Sequence, residues 1–154
     1  MGCAPFVQTP VEVAKKMIQL ADLKPGQKLF DLGAGDGRLV IMAAQETEAS
    51  TIGVEMRDDL VERARTEIKR LNLEGRVRMI HDDFFSVDLH EADAVTLYLT
   101  TSGNERLRPK LERELKKDAK VISHDFKVGN WKPSVVYNEL LGHTIYSYEV
   151  GEQH

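Results

Sequence analysis

The sequence predicts an α/β fold: a doubly wound, mostly parallel, seven-stranded Rossmann-like sheet that ends in an antiparallel hairpin. Three observations predict it. Helix-like and strand-like segments alternate along the 154 residues, a glycine-rich turn follows the first strand-like segment, and the last segment resembles two strands joined by a tight turn. Because ligands of such folds bind beyond the carboxyl ends of the strands, we expect the functional residues to lie there.

The predicted elements follow one another in order. Thr9 is expected to cap a first helix, which Pro25-Gly26 ends. Five apolar segments are typical of buried strands: 28–32, 51–55, 76–81, 92–99 and 119–124. Helices are expected at 39–45 and, capped by Asp58, at 58–71. Ser102 begins a second capping box, Pro109 is expected to split the helix that follows, and residues 134–150 are expected to form the hairpin.

The composition is typical of a single globular domain, which we expect to span residues 1–154. The chain has 21 basic and 25 acidic side chains, a net charge of −4, so a dedicated nucleic-acid partner is not expected. Its single cysteine, Cys3, excludes an internal disulfide, and no apolar run approaches the ~18 residues that a membrane span needs. These features predict a cytoplasmic monomer that does not bind membranes.

The glycine-rich turn carries the first functional signal. Gly33 and Gly35 follow the strand-end residue Asp31, and Asp36 comes next in the GxGxG pattern, which differs from the GxGxxG of dinucleotide-binding folds. Two carboxylates beside the turn would repel a pyrophosphate and favour a ligand with positive charge, such as an α-ammonium or a sulfonium. The alternative is an ordinary strand-to-helix turn.

Two further strand ends suit a nucleoside. Glu55 ends the second strand 22 residues after Gly33, where a carboxylate can accept hydrogen bonds from ribose hydroxyls. After the third strand, Asp83 can accept from an adenine amine and Phe84 can pack on its ring. The alternatives are a solvated strand-end carboxylate and a surface turn with a core phenylalanine. Together these sites predict S-adenosylmethionine as the ligand.

The motifs DLGAGDGR, GVE and DDFF resemble those of the seven-strand class I methyltransferases. Four longer stretches are similar to the small archaeal broad-specificity protein lysine methyltransferases: PFVQTP, YLTTSGNERLRPKLERELK, VISHDFKVGNWKP and YSYEVGEQH. A related mitochondrial family methylates lysines of the ATP synthase c-subunit and the adenine nucleotide translocase. The resemblance covers nearly the whole chain.

This resemblance implies S-adenosylmethionine as methyl donor and S-adenosyl-L-homocysteine as product. It implies that Asp31, Gly33 and Gly35 hold the methionine end of the cofactor. Glu55 would hold the ribose, and Asp83 and Phe84 the adenine. Residues 1–10 would fold over the cofactor, with Phe6 in contact with it and Thr9 donating a hydrogen bond to it.

The acceptor pocket is expected after the fourth strand, around Tyr98, Thr100 and Asn104. This region lacks the Asn/Asp-Pro-Pro-Tyr/Phe motif of enzymes that methylate planar nitrogens, and an aromatic wall with small hydroxyls suits an aliphatic amine. Alternatives stay open. Tyr98 could belong to the core, and Thr100 could simply end the strand. His124 could accept the lysine proton or be held by its neighbours, and Trp131 could cover the pocket or pin its loop.

We therefore expect a protein-lysine N-methyltransferase that acts by direct in-line displacement and needs no metal. Because the cofactor-binding core should take up almost all 154 residues, little chain is left for substrate recognition, and exposed lysines of many proteins should be accepted. The alternatives are a methyltransferase for RNA or a small molecule, and a non-catalytic nucleotide-sensing domain.

Overall fold

A computed structural model describes residues 7–153. Within this range the chain forms four α-helices and seven β-strands. The helices are α1 (Val11–Ala21), α2 (Arg38–Glu46), α3 (Asp58–Arg70) and α4 (Thr101–Glu114). The strands are β1 (Lys28–Leu32), β2 (Ser50–Glu55), β3 (Val77–His81), β4 (Ala94–Leu97), β5 (Lys120–His124), β6 (Val135–Leu140) and β7 (His143–Glu149). A single 3-10 turn, Val150–Gln153, follows β7.

The strands form one sheet in the order β3-β2-β1-β4-β5-β7-β6. The first five are parallel, and β7 is antiparallel to both β5 and β6. This arrangement confirms the predicted doubly wound sheet with its terminal hairpin. The order reverses between β1 and β4, so the crevice for a ligand lies beyond the carboxyl ends of these two strands.

Alternating side chains supply both faces of the sheet. Leu29, Ala94 and Ile122 pack against α1, whereas Val95, Leu97 and Val121 pack against α4. The same alternation places Asp31 and Thr96 together on the α1 face, because their backbones are paired across β1 and β4. No helix among residues 7–153 is long and apolar enough to cross a membrane.

Three predicted helix caps are wrong. The N-cap of α1 is Pro10, not Thr9, and the N-cap of α3 is Arg57, not Asp58. Neither Pro10 nor Arg57 caps its helix with a side-chain hydrogen bond. Helix α4 begins one residue before Ser102, and Thr100 is its cap, since its Oγ1 accepts from the Gly103 amide at 3.0 Å. In each case the observed N-cap lies within two residues of the predicted one.

The predicted break at Pro109 is also wrong, because α4 runs through it without interruption. Pro109 lies on the exposed side of the helix, while its neighbours Leu107 and Leu111 are fully buried. The missing amide leaves one carbonyl to water, and burial of the leucines stabilises the helix on both sides of the proline.

Candidate functional site

A cleft lies at the carboxyl edge of β1 and β4. Six of the residues that the sequence singled out line it: Thr9, Asp31, Gly33, Gly35, Asp36 and Tyr98. They come from the segment before α1, the glycine turn and the end of β4. Residues about 90 positions apart therefore meet because the parallel strands end at one edge.

Asp31 is the most perturbed carboxyl group of the cleft. Its side chain is buried, and its Oδ1 accepts a hydrogen bond of 2.8 Å from the Thr96 hydroxyl. Burial raises the pKa of Asp31 to about 7; the nearby Glu55 charge acts in the same direction and the Thr96 bond opposes it. Among the described residues no lysine or arginine pairs with Asp31, so a cationic ligand group would find an unclaimed carboxylate here.

Asp36 differs from what the sequence argument assumed. It is not a second free anion, because the Arg38 guanidinium lies 2.9 Å from it and that of Arg63 4.0 Å. Although burial acts to raise it, the hydrogen bonds and charge of Arg38 hold the pKa of Asp36 below its ordinary value. Preference of the cleft for a cation therefore rests on Asp31 rather than on a pair of carboxylates.

The glycine turn is held from below by β2 and by Glu55. The amides of Gly33 and Ala34 both donate to the Val54 carbonyl, at 2.8 and 2.9 Å. The Gly35 amide donates to Glu55 Oε1 at 2.8 Å, and the Arg57 amide donates to Oε2 at 2.9 Å. Gly33 and Gly35 have φ of +78° and +60°, which only glycine adopts without cost.

Glu55 thus has a structural task that the sequence did not reveal. Each of its carboxylate oxygens accepts one backbone amide and retains capacity for a further hydrogen bond. Two ribose hydroxyls can be accepted without disturbing the turn. The assignment of Glu55 to the ribose stays a prediction, and this geometry is compatible with it.

The turn after β3 lies beside Glu55, since β2 and β3 are paired there. Asp83 is half-buried, and its Oδ1 accepts the Phe85 amide at 2.9 Å. Phe84 contacts Phe85, with ring centroids 4.9 Å apart, and packs against the core. Neither Asp83 nor Phe84 lines the cleft of Asp31. Their adenine role stays a prediction, and Phe6 lies outside the described residues.

On the acceptor side, Tyr98 forms a wall of the cleft. Its ring stacks on that of His124 with centroids 3.8 Å apart, because the two residues follow the paired positions Leu97 and Ser123. His124 itself is fully buried, and Nε2 lies 2.8 Å from Nδ1 of His143. The structure thus favours the alternative in which neighbours hold His124.

Two other predicted acceptor residues also have structural contacts. Thr100 caps α4. Asn104 is fully buried and donates from Nδ2 to Ser123 Oγ and to the carbonyls of Phe126 and Lys127, at 3.0–3.2 Å. Asn104 therefore ties α4 to the loop after β5 and does not line the cleft.

Trp131 lies in the core and is 5% exposed. Its Nε1 donates to Glu112 at 2.8 Å, and its ring meets that of Tyr148 edge-on. The structure favours the alternative in which Trp131 pins its loop to the core over the one in which it covers the pocket.

The sequence analysis did not single out three residues that contact the predicted site residues: Thr96, Arg38 and His143. The alternation of β4 beside Asp31 could have indicated Thr96, whereas no local pattern marks His143.

Replacing Trp131 with phenylalanine tests this assignment. We expect the unfolding free energy to fall by about 1–2 kcal/mol, because the bond to Glu112 is lost while most of the apolar contact remains. The rate constant kcat should stay unchanged well below the melting temperature. Urea unfolding and steady-state assays measure the two quantities, and a large fall in kcat without loss of stability would contradict the assignment.

Gly53 supports the glycine turn through its lack of a side chain. A Cβ at this position would lie 2.5 Å from Met79 Sδ and 2.8 Å from Ala34 Cβ. The methionine sulfur can move, but Ala34 belongs to the turn itself. We expect Gly53→Ala to lower the unfolding free energy by about 1–3 kcal/mol and, by displacing the turn, to weaken cofactor binding about tenfold.

Gly75→Ala is the matched control, because a Cβ at Gly75 would meet nothing within 4 Å. Calorimetric titration with S-adenosylmethionine and thermal unfolding of both variants measure the effects. Cofactor binding by Gly53→Ala as tight as that of Gly75→Ala would show that the turn does not depend on Gly53.

The strand order 3-2-1-4-5-7-6, together with a glycine turn after β1 and a carboxylate at the end of β2, defines a class I methyltransferase. Comparison with known proteins identifies the family within this class. Residues 31–135 match the profile of the ANTKMT methyltransferase domain, and the chain belongs to that family.

Three relatives illustrate the likeness. A protein-lysine N-methyltransferase of Saccharolobus islandicus is 38% identical over 152 residues, which cover 96% of this chain and 94% of that protein. The adenine nucleotide translocase lysine N-methyltransferase of Mus musculus is 32% identical over 135 residues, which cover 88% of this chain and 58% of that protein. A crystal structure described as an RNA methyltransferase from Salinibacter ruber in complex with S-adenosyl-L-homocysteine is 40% identical, with a TM-score of 0.92 and 96% of both chains covered.

Proposed function

We propose that this protein transfers a methyl group from S-adenosylmethionine to the ε-amine of lysines in other proteins. The observation that carries the proposal is the cleft itself. In it Asp31, a buried carboxylate that pairs with no lysine or arginine of residues 7–153, lies beside an open glycine turn and an aromatic wall, Tyr98. The Saccharolobus relative, which matches along nearly the whole of both chains, bears the name of that activity.

The residues present fit the cofactor. Ionised Asp31 suits the α-ammonium of its methionine portion, the exposed Gly33 allows close backbone approach, and the remaining capacity of Glu55 suits a ribose. Bound there, S-adenosylmethionine supplies an electrophilic methyl group on a sulfonium. The protein's own task is to bind, orient and exclude water.

The acceptor nitrogen would approach along the wall formed by Tyr98. The lone pair of the lysine nitrogen would form the new N–C bond as the C–S bond of the sulfonium breaks. The sulfur would leave as a neutral thioether, and one proton of the amine would pass to solvent. Holding the nitrogen in line can contribute about 7–11 kcal/mol. Deprotonating a lysine of pKa near 10.4 at pH 7 costs roughly 4.6 kcal/mol, and a desolvated site beside a sulfonium lowers that cost. No strong base is therefore required.

Other parts of the proposal go beyond what membership of the family establishes. We propose that exposed lysines of many proteins are accepted, that the chain is a cytoplasmic monomer forming one domain, and that residues 1–10 cover the cofactor. The position of Thr9 in the cleft supports the last of these.

The second candidate is methylation of RNA, which the description of the Salinibacter structure favours. The net charge of −4 weighs against it, because binding to a phosphate backbone depends on basic side chains.

One experiment separates the two. The protein is incubated with methyl-labelled S-adenosylmethionine and a cell extract, and the products are treated with either protease or ribonuclease. We expect that protease releases the label and ribonuclease does not, and that mass spectrometry identifies the labelled residue as methyl-lysine. Label that ribonuclease releases would support the second candidate, and methyl-lysine in one protein only would contradict the broad acceptance.

A further inference from the structure

Three side chains with metal-ligating atoms meet behind Tyr98, at the junction of β5 and β7. His124 ends β5, Asp125 follows it, and His143 begins β7. We call these residues the His-Asp-His cluster. His124 Nε2 lies 2.8 Å from His143 Nδ1, and each of these nitrogens lies 3.3 Å from Asp125 Oδ2. Three donor atoms therefore surround one point.

His124 is an unusual core residue. Its ring is fully buried, and its Nδ1 has no hydrogen-bond partner among residues 7–153. Burial lowers the pKa of His124 to about 4; Asp125 opposes this effect and His143 adds to it. Of the two ring nitrogens of His124, only Nε2, which faces the cluster, has a polar partner in the described part of the chain to offset the cost of burial.

Asp125 is held in a conformation that aspartate adopts at a cost. Its φ is +68°, in the left-handed region. Its amide donates to the Thr144 carbonyl at 2.7 Å, and its Oδ1 accepts the Thr144 amide at 3.0 Å. These bonds leave Oδ2 directed at the two imidazoles. This backbone conformation and the two bonds to Thr144 fix the position of the carboxylate beside the two histidines.

We propose that the His-Asp-His cluster binds a transition-metal ion of the Zn²⁺ type through His124 Nε2, His143 Nδ1 and Asp125 Oδ2. Tetrahedral zinc with ligands at about 2.0–2.2 Å requires ligand atoms about 3.3 Å apart. Two of the three separations have this value, and the two imidazoles need to part by about 0.5 Å. The ion replaces the proton between the two nitrogens and leaves a fourth position for water.

A second group of possible metal ligands differs from the His-Asp-His cluster in burial and in its other contacts. Asp88 and His90 are exposed, and their partner Glu114 already accepts from Lys110 and from the Leu89 amide. Two of its members are thus exposed and the third is engaged elsewhere, whereas His124 of the His-Asp-His cluster is fully buried. Imidazole and carboxylate ligands favour Zn²⁺ over Mg²⁺, which prefers oxygen ligands and retains its waters.

The site would join the end of β5 to the hairpin and stiffen the ring on which Tyr98 stacks. It does not depend on the proposed methyl transfer, because none of its three ligands lines the cleft that contains Asp31.

The test is a calorimetric titration of the full-length, chelator-treated protein with ZnCl₂ at pH 7.5, with MgCl₂ as the comparison. We expect one Zn²⁺ per chain, a higher melting temperature with Zn²⁺, and neither effect with Mg²⁺. His143→Ala and Asp125→Asn should each weaken binding by roughly tenfold or more. Asparagine tolerates the left-handed backbone, so Asp125→Asn removes mainly the carboxylate charge.

His90→Ala is the matched control and should bind Zn²⁺ like the unchanged chain. His143→Gln provides a second variant at the half-buried position in case His143→Ala does not fold, as judged by circular dichroism. The proposal is overturned if the unchanged protein binds no Zn²⁺, or if folded His143 variants bind it as tightly. Loss of binding in His90→Ala would instead place the ion at the Asp88 group.

Discussion

Asp31→Asn is expected to weaken S-adenosylmethionine binding strongly and at the same time to make the ligand-free protein more stable. The buried carboxylate is costly without a cation, as its pKa of about 7 indicates. Each pKa unit corresponds to about 1.4 kcal/mol, so the stabilisation at pH 8 can reach about 4 kcal/mol. Loss of the counter-charge for an α-ammonium should weaken cofactor binding by at least about 100-fold.

The sign of the pH dependence follows from the same group. In the unfolded chain an aspartate has its ordinary pKa near 3.8, so the folded protein binds more protons between pH 4 and pH 7. The stability of the ligand-free protein should therefore fall as the pH rises through this window. The excess stability of Asp31→Asn should be absent near pH 4 and complete above pH 7.

Cofactor affinity should run in the opposite direction. An ammonium binds the ionised carboxylate, so the dissociation constant should rise about tenfold for each pH unit below 7 and level off above it. Thr96→Val is a sharp control, because loss of its hydrogen bond should raise the pKa of Asp31 further and move the midpoint to higher pH. Calorimetric titrations between pH 5.5 and 8.5 measure both midpoints. A pH-independent affinity in the unchanged protein would contradict this role of Asp31.

Asn104→Ala should produce the second large effect, on stability rather than on chemistry. The substitution leaves the Lys127 carbonyl without its donor and removes the tie between α4 and the loop after β5. We expect the unfolding free energy to fall by about 2–4 kcal/mol and the melting temperature by about 5–12 °C. Well below that temperature, kcat should change less than about threefold.

Ser102→Ala serves as the comparison for Asn104→Ala, because Ser102 is exposed on the same helix turn and should change stability by less than about 0.5 kcal/mol. Thermal unfolding and steady-state rates at a temperature where all variants are folded give the two readouts. A kcat reduced more than about 100-fold in a folded Asn104→Ala protein would restore Asn104 to the acceptor pocket.

The fold was predictable because its signals are local. Buried strands such as 28–32 are short apolar segments, and the glycine turn after Leu32 is distinct in composition. Residues at the strand ends were predictable for the same reason, since parallel strands must end at one edge. The sequence could not show which polar contacts each residue makes. In the sequence, Asn104 and Trp131 resemble site residues, because polar and aromatic residues occur both in binding sites and in the cores of proteins.

Contacts between distant segments explain what was missed. His143 reaches His124 only because β7 returns antiparallel beside β5, and this pairing has no signature near either residue. Arg38 neutralises Asp36 through a side-chain conformation that spacing cannot indicate. The predicted caps Thr9, Asp58 and Ser102 each lie one or two residues from the observed N-cap, because residue type alone does not fix the residue at which a helix begins.

Glu55 braces the glycine turn with the same carboxylate that is predicted to hold the ribose. Evolution therefore has little freedom at this position. A lineage that exchanged Glu55 to accommodate a different nucleotide would also lose the anchor of Gly35, and the compensating changes would have to arise together. Under the ribose prediction, Glu55 would therefore be a barrier to switching cofactors, whatever the selective pressure on the acceptor side.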